Sequence, residues 1–347
     1  MKGTISMKPR IAILHGDPAG IGPELVAKLI AEPDVSKQAD VLLVGDRHVF
    51  ELGQAQAKTH WSVRNVDLDD ATSWWSGDEV PLYTTKTVSP GKVSLSEISE
   101  AAGHASLRNL DKAIDLTQAG LVDGIQFGPF NKASMHLAGM NAEDEHRYIA
   151  KYLGFDGYHS EVNMLDELIT TRVTSHIALN DVVGSIDEDG VIKAVCLAND
   201  TLKAAGKSRP RIGVAAINPH AGDNGNFGTE EIDILAPAIK RAQKMQIDVC
   251  GPWPSDTVFL KGRDGQLDAV VTMYHDQGQI AMKLMGFERG VTIAAGLPIP
   301  VTTPAHGTAF DIAGKGVANL GAMRNAFDIV CRMAAHHRDH NPIHPAA

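Results

Sequence analysis

Three histidines stand in short polar contexts: His176 in Thr-Ser-His-Ile, His220 in Asn-Pro-His-Ala-Gly and His275 in Tyr-His-Asp-Gln-Gly. Each follows an apolar run that reads as a strand. Three converging imidazoles can hold one divalent ion and leave a coordination position open for substrate. The expectation is therefore a metal-assisted enzyme. A histidine-rich site accepts Zn, Mn, Co or Ni, and Mg completes the candidate ions. Asp276 and Gln277 are placed beside His275 to orient its ring.

These residues need a scaffold. Apolar runs at Ile11–His15, Val41–Gly45, Val122–Phe127, Arg211–Ile217, Ile247–Cys250, Leu267–Met273 and Val291–Ala294 read as strands, most of them continuous as expected for parallel strands covered on both faces. Helix patterns at Pro23–Ala31, Ser96–Ala119, Glu145–Leu153, Glu230–Met245 and Asn319–His337 alternate with them. This alternation predicts an α/β fold with mainly parallel sheets, in which ligands bind at strand carboxyl ends. Ser94 with Glu97 forms a capping box for the second helix and Gly120 stops it. Pro237 kinks or divides the fourth. Asp67–Pro90, with Trp74 and Trp75, reads as an irregular excursion or an edge hairpin. The turn His15-Gly16-Asp17-Pro18-Ala19-Gly20-Ile21-Gly22-Pro23 joins the first strand to the first helix. It is not a dinucleotide fingerprint, because Leu25 stands where a third glycine is needed.

The net charge of −10 over 347 residues gives no electrostatic footprint for nucleic acid. Cys196, Cys250 and Cys331 are odd in number and widely spaced, which argues against a disulfide framework. The stretch Met1 to Arg10 lacks the apolar core of a signal peptide. No run approaches the ~20 apolar residues that span a bilayer. A cytoplasmic protein with no membrane partner is expected.

The segment Pro304-Ala305-His306-Gly307-Thr308-Ala309-Phe310-Asp311-Ile312-Ala313-Gly314-Lys315-Gly316-Val317-Ala318-Asn319 resembles the adenosine-binding loop of the isocitrate and isopropylmalate dehydrogenase group. Added to it are the Gly16–Glu24 turn, Gly128-Pro129-Phe130-Asn131-Lys132 and the His220 and His275 motifs. Together they resemble the 4-hydroxythreonine-4-phosphate dehydrogenase family, from about Ile11 to Ala335. The resemblance implies two α/β/α domains like those of isocitrate and isopropylmalate dehydrogenases. Residues 1–130 plus 285–347 would carry the cofactor, and 131–284 the metal, the substrate and the dimer contacts. It implies NAD or NADP held by His306, Gly307, Thr308, Ala309, Asp311 and Asn319, and a metal on His176, His220 and His275. It also implies a homodimer whose interdomain active sites are completed by the partner. The activity implied is oxidation of a secondary alcohol β to a carboxylate, with decarboxylation.

Departures from the family pattern guide the substrate expectation. A Gly-His-Thr-Glu stretch is replaced by Asp144-Glu145-His146-Arg147, and two phosphate contacts align with Thr292 and Val301. Loss of an arginine removes a bidentate phosphate donor. The expected substrate is thus a non-phosphorylated carboxylate, an aromatic cis-dihydrodiol of the terephthalate type. Glu145, His146, Arg147, Lys283, Thr292 and Arg289 would line its site, with Lys283 or Asp276 exchanging the proton. The alternative is 4-phosphohydroxythreonine; a cofactor-free metal hydrolase is an alternative of another class.

Overall fold

The computed structural model describes residues 8–340, so most of the amino-terminal stretch read above lies outside the described residues. Two compact units are present, one reaching Asp156 and resuming at Leu297, the other spanning Gly157–Gly296. The strands of the chain are β1 (Arg10–Leu14), β2 (Asp40–Gly45), β3 (Val63–Val66), β4 (Val80–Thr84) and β5 (Gly124–Phe127). The second unit supplies β6 (Ser160–Leu165), β7 (Leu168–Arg172), β8 (Arg211–Ala215), β9 (Asp248–Trp253), β10 (Ala269–Thr272) and β11 (Val291–Ala295), and β12 (Val301–Pro304) returns to the first.

The borders differ from 130 and 284 for physical reasons. Helices Lys132–Leu137 and Glu145–Tyr152 pack on the long helix Glu100–Gln118 of the first unit. Tyr148 donates to Asp111 at 2.6 Å and Tyr152 to Asp115 at 3.0 Å. At the other border, β11 pairs antiparallel with β6, which keeps it in the second unit.

In the first unit the strand order is β3-β4-β2-β1-β5-β12, and every pair is parallel. Parallel strands buried on both faces require unbroken apolar runs. Ile11–Leu14 meets that requirement with no exposed surface. Ile11 and Ile13 pack with Leu25 and Leu29 of helix Gly22–Ile30 and with Phe327 and Val330 of helix Gly321–His340. The segment 67–90 is more regular than expected. It contains β4, paired parallel with β2 and β3, so no hairpin forms. Trp74 is buried there and donates its indole N–H to the Asp67 carbonyl at 2.7 Å.

The helix Glu100–Gln118 is capped by Ser99, whose Oγ accepts from the Ala102 amide at 3.2 Å. The expected cap, Ser94, lies outside it. Gly120, at φ 69°, follows its end as expected. Pro237 divides the fourth helix: a π-turn spans Glu231–Leu235 and an α-helix Ala236–Lys244 begins around the proline. In a first turn the missing N–H costs no hydrogen bond.

In the second unit the order is β11-β6-β7-β10-β8-β9. The pairs β11–β6 and β6–β7 are antiparallel, and β7–β10, β10–β8 and β8–β9 are parallel. Leu168, Val258, Phe259, Val270 and Met282 form part of its core. The fold is α/β with mainly parallel sheets. Among the described residues no helix is long and apolar enough to cross a membrane.

Candidate active site

Strand order explains why two of the three histidines meet. His176 follows β7, His275 follows β10 and His220 follows β8, so all three turns leave the carboxyl ends of neighbouring parallel strands. The rings of His176 and His275 lie 5.4 Å apart between centroids. Both line a pocket of about 280 Å³ with Ser175, Ile177, Leu179 and Tyr274. The Asp276 carboxylate contacts His275 Nδ1 at 2.6 Å. A carboxylate accepts, so this contact turns the Nδ1–H edge toward Asp276 and leaves Nε2 as the nitrogen available to a ligand. That arrangement orients an imidazole for metal ligation. Two adjacent imidazoles, one so oriented, suit a divalent ion.

His220 does not join them. Among the described residues, no three His, Cys, Asp or Glu side chains form a group able to hold a metal ion. His220 lies on a loop in which residues 220–224 all have positive φ, from 43° to 79°. Its ring lies 6.2 Å from that of Phe227. The loop is pinned from behind: Glu231 Oε1 accepts from the amides of Ile217 and Asn218 at 2.9 and 2.7 Å. Gln277, expected to orient His275, serves the backbone instead. Its Nε2 donates to the Ala216 carbonyl at 2.8 Å and its Oε1 accepts from the Met273 amide at 2.7 Å.

The remaining candidates divide between the units. Lys283 is exposed on helix His275–Gly286. Thr292, in β11, accepts from Asn163 at 3.2 Å, and Arg289 pairs with Asp166 at 3.0 Å. Glu145, His146 and Arg147 belong to the first unit, at a helix start capped by Asp144. There Arg147 pairs with Glu143 and with Asp144. Its charge is therefore already met by two carboxylates.

The first unit gathers three glycine-bearing motifs in the same way, at the carboxyl ends of β1, β5 and β12, adjacent strands of one sheet. At Gly16, φ is 75° and an added Cβ would stand 2.4 Å from the Gly128 carbonyl oxygen, so only glycine fits. The Asp17 amide donates to the Pro129 carbonyl and the Ile21 amide to that of Thr308. The loop through His306, Gly307, Thr308, Ala309, Asp311 and Asn319 thus lies against the first turn. His306 Nδ1 lies 3.1 Å from its neighbour's carbonyl, and Asn319 Oδ1 accepts from the Gly321 amide. Glu24, which ends the Gly16–Glu24 turn, and Lys28 fix the end of this loop. Fully buried Glu24 accepts from the amides of Gly316 and Ala318 and pairs with Lys28 at 2.7 Å. Lys28 in turn donates to the carbonyls of Gly316 and Ala318. Their i,i+4 spacing on the first helix was the available signal.

Two titratable groups lie inside that turn. Burial pulls His15 down to about 4, against the raising effect of its contact with the Gly16 carbonyl. Burial pushes Asp17 up to about 6, although the Ala19 amide donates to its carboxylate at 2.7 Å.

Residues 37–330 match the family model described as pyridoxal phosphate biosynthetic protein PdxA. The chain belongs to the PdxA family. A Pseudomonas aeruginosa relative with the provisional name 4-hydroxythreonine-4-phosphate dehydrogenase 2 is 50% identical over 94% of this chain and 98% of its own. The D-threonate 4-phosphate dehydrogenase of Salmonella typhimurium is 38% identical over 93% of this chain and 98% of its own. Among solved structures, the 4-hydroxythreonine-4-phosphate dehydrogenase of Klebsiella pneumoniae superposes with a TM-score of 0.81 at 36% identity, covering 96% of this chain and 100% of that one.

These relatives overturn the aromatic dihydrodiol expectation. The terephthalate 1,2-cis-dihydrodiol dehydrogenase of Burkholderia xenovorans shares 26% identity over 94% of this chain and 98% of that one, at a TM-score of 0.66. Relatives named for phosphorylated substrates are more similar over an equal span. The expectation failed because it weighed a few lost phosphate contacts too heavily. One of them, Val301, is buried in β12 beside β5.

Proposed function

We propose that this PdxA-family chain is a nicotinamide- and metal-dependent dehydrogenase of a 4-phosphorylated four-carbon acid bearing a hydroxyl at C3. Both names carried by its similar relatives, 4-hydroxythreonine 4-phosphate and D-threonate 4-phosphate, describe that class. The observation that carries the reading is the His176–His275 pair at the carboxyl edge of the second sheet, lining one pocket. His176 and His275 would be the first two ligands of one divalent ion, and His220 would complete the set only by turning away from Phe227. Such an ion supplies Lewis acidity toward the substrate's hydroxyl and carboxylate.

Asp276 keeps the His275 ring in its ligating tautomer, and Lys283 on the same helix exchanges the hydroxyl proton. The loop from His306 to Asn319 holds NAD or NADP. Bound there, the nicotinamide would supply the hydride acceptor for C3, and the β-keto acid so formed would lose carbon dioxide. Two copies of the chain form the working enzyme.

The test is an assay of purified protein with both phosphorylated acids, either cofactor and an added divalent ion, read by nicotinamide absorbance. Turnover that disappears with a chelator is expected, and His275→Ala should lower kcat/KM at least about 100-fold. Equal rates with and without the phosphate group would refute the substrate class. Undiminished activity in His275→Ala would refute the site.

A further inference from the structure

Beneath the two histidines runs a chain of side chains that belongs to no sequence motif. Asn163, in the middle of β6, is 5% exposed, and Arg172, the last residue of β7, is 4% exposed. Arg172 Nε donates to Ser175 Oγ at 2.9 Å, in the turn that carries His176. Its Nη2 reaches Glu161 at 2.8 Å, and Nη1 lies 3.4 Å from Asn163 Oδ1. The same Asn163 oxygen accepts from Gln279 Nε2. Gln279 stands one helical turn beyond His275, on the same face of its helix. Asn163 Nδ2 donates to Thr292 across the β6–β11 pair. One carbonyl oxygen therefore ties the element bearing His176 to the element bearing His275.

We infer that Asn163 is the positioning residue that sets the spacing of this histidine pair, and through it the affinity for the divalent ion. The inference rests on the metal reading proposed above. The physical reason is burial: a guanidinium and an amide taken out of water need acceptors. Because they share one acceptor, neither histidine-bearing element can shift without disturbing the other. An apolar side chain at 163 takes the shared acceptor from Gln279 Nε2 and Arg172 Nη1, leaves Arg172 held only by Glu161 and Ser175, and lets the two turns relax independently.

The test titrates Co²⁺ into the metal-free full-length chain, following visible absorbance and equilibrium dialysis, with circular dichroism to confirm folding. His275→Ala serves as the control for the metal reading. Asn163→Leu should weaken Co²⁺ binding by about 10-fold or more and alter the Co²⁺ spectrum, whereas Asn163→Asp, which keeps the acceptor, should stay within about 3-fold of wild type. Gln279→Met removes one donor and should weaken binding as well, and it decides the matter if Asn163→Leu does not fold. Wild-type affinity in Asn163→Leu or, where that variant does not fold, in Gln279→Met, with binding lost in His275→Ala, overturns the positioning role and leaves the metal site standing. Unchanged binding in His275→Ala overturns both.

Discussion

At the scale of single residues, His15 and Asp17 make opposite demands on pH. His15 falls from 6.5 unfolded to about 4 folded, so it favours the folded state fully above 6.5 and loses that contribution as pH drops toward 4. Asp17 rises from 3.8 to about 6, so its contribution is present below 3.8 and is lost as pH rises through 6. Each amounts to roughly 3 kcal/mol at most. Between pH 4 and 6 they largely cancel. Asp17→Asn removes one side of that balance. Its stability relative to wild type should climb by about 3 kcal/mol from pH 4 to pH 7, measured by urea unfolding across that range. A difference that stays flat with pH would show that the carboxyl is not titrating between those values. Neither shift was legible beforehand. Gly-Asp-Pro-Ala-Gly looks polar in sequence, and the approach of Gly128 and Thr308, in the turns after neighbouring strands, buries it.

At the scale of elements, the seven strands read from apolar runs all exist, because a strand covered on both faces favours a continuous apolar run. The strands missed carry polar residues for local reasons. β7 reads Leu-Ile-Thr-Thr-Arg, and its arginine is tolerated because Glu161, Asn163 and Ser175 accept its hydrogen bonds. Asn163 breaks the apolar pattern of β6 as the other half of that contact. Helix Glu100–Gln118 approaches its neighbour through Gly103, where an added Cβ would stand 1.8 Å from the Ser134 carbonyl oxygen. Gly103→Ala should cost about 1–3 kcal/mol or more, read as a lowered Tm, because backbone rather than a side-chain tip must move. The clamp formed by Glu24 and Lys28 allows a second expectation. Lys28→Met should raise KM for the nicotinamide cofactor about 5- to 10-fold with kcat little changed, as fits the loss of one or two hydrogen bonds from a preformed loop. A lowered kcat with unchanged KM would place the clamp's effect elsewhere.

At the scale of the whole molecule, family and fold class were legible because their motifs are local, each sitting in the turn after one strand. Substrate class was not, because it depends on which residues of separate segments face one ligand. The structure pairs Arg147 with two carboxylates and buries Val301, neither of which sequence spacing reveals. The three histidines fall between these cases. Their strands are neighbours, as motif positions suggest, while the left-handed run from His220 to Asn224 gives its ring a different neighbour, Phe227.

The division of the chain has a temporal side. The unit spanning Gly157–Gly296 is continuous, so a ribosome delivers all its strands in a single stretch. The other must wait: Ile125 and Gln126 in β5 find their outer partners, Val301 and Thr302, only after that entire stretch has emerged. A nascent chain arrested at Gly296 should therefore present a completed histidine-bearing half beside a sheet whose β5 border is still raw, and that border is where a holding chaperone would be expected to settle.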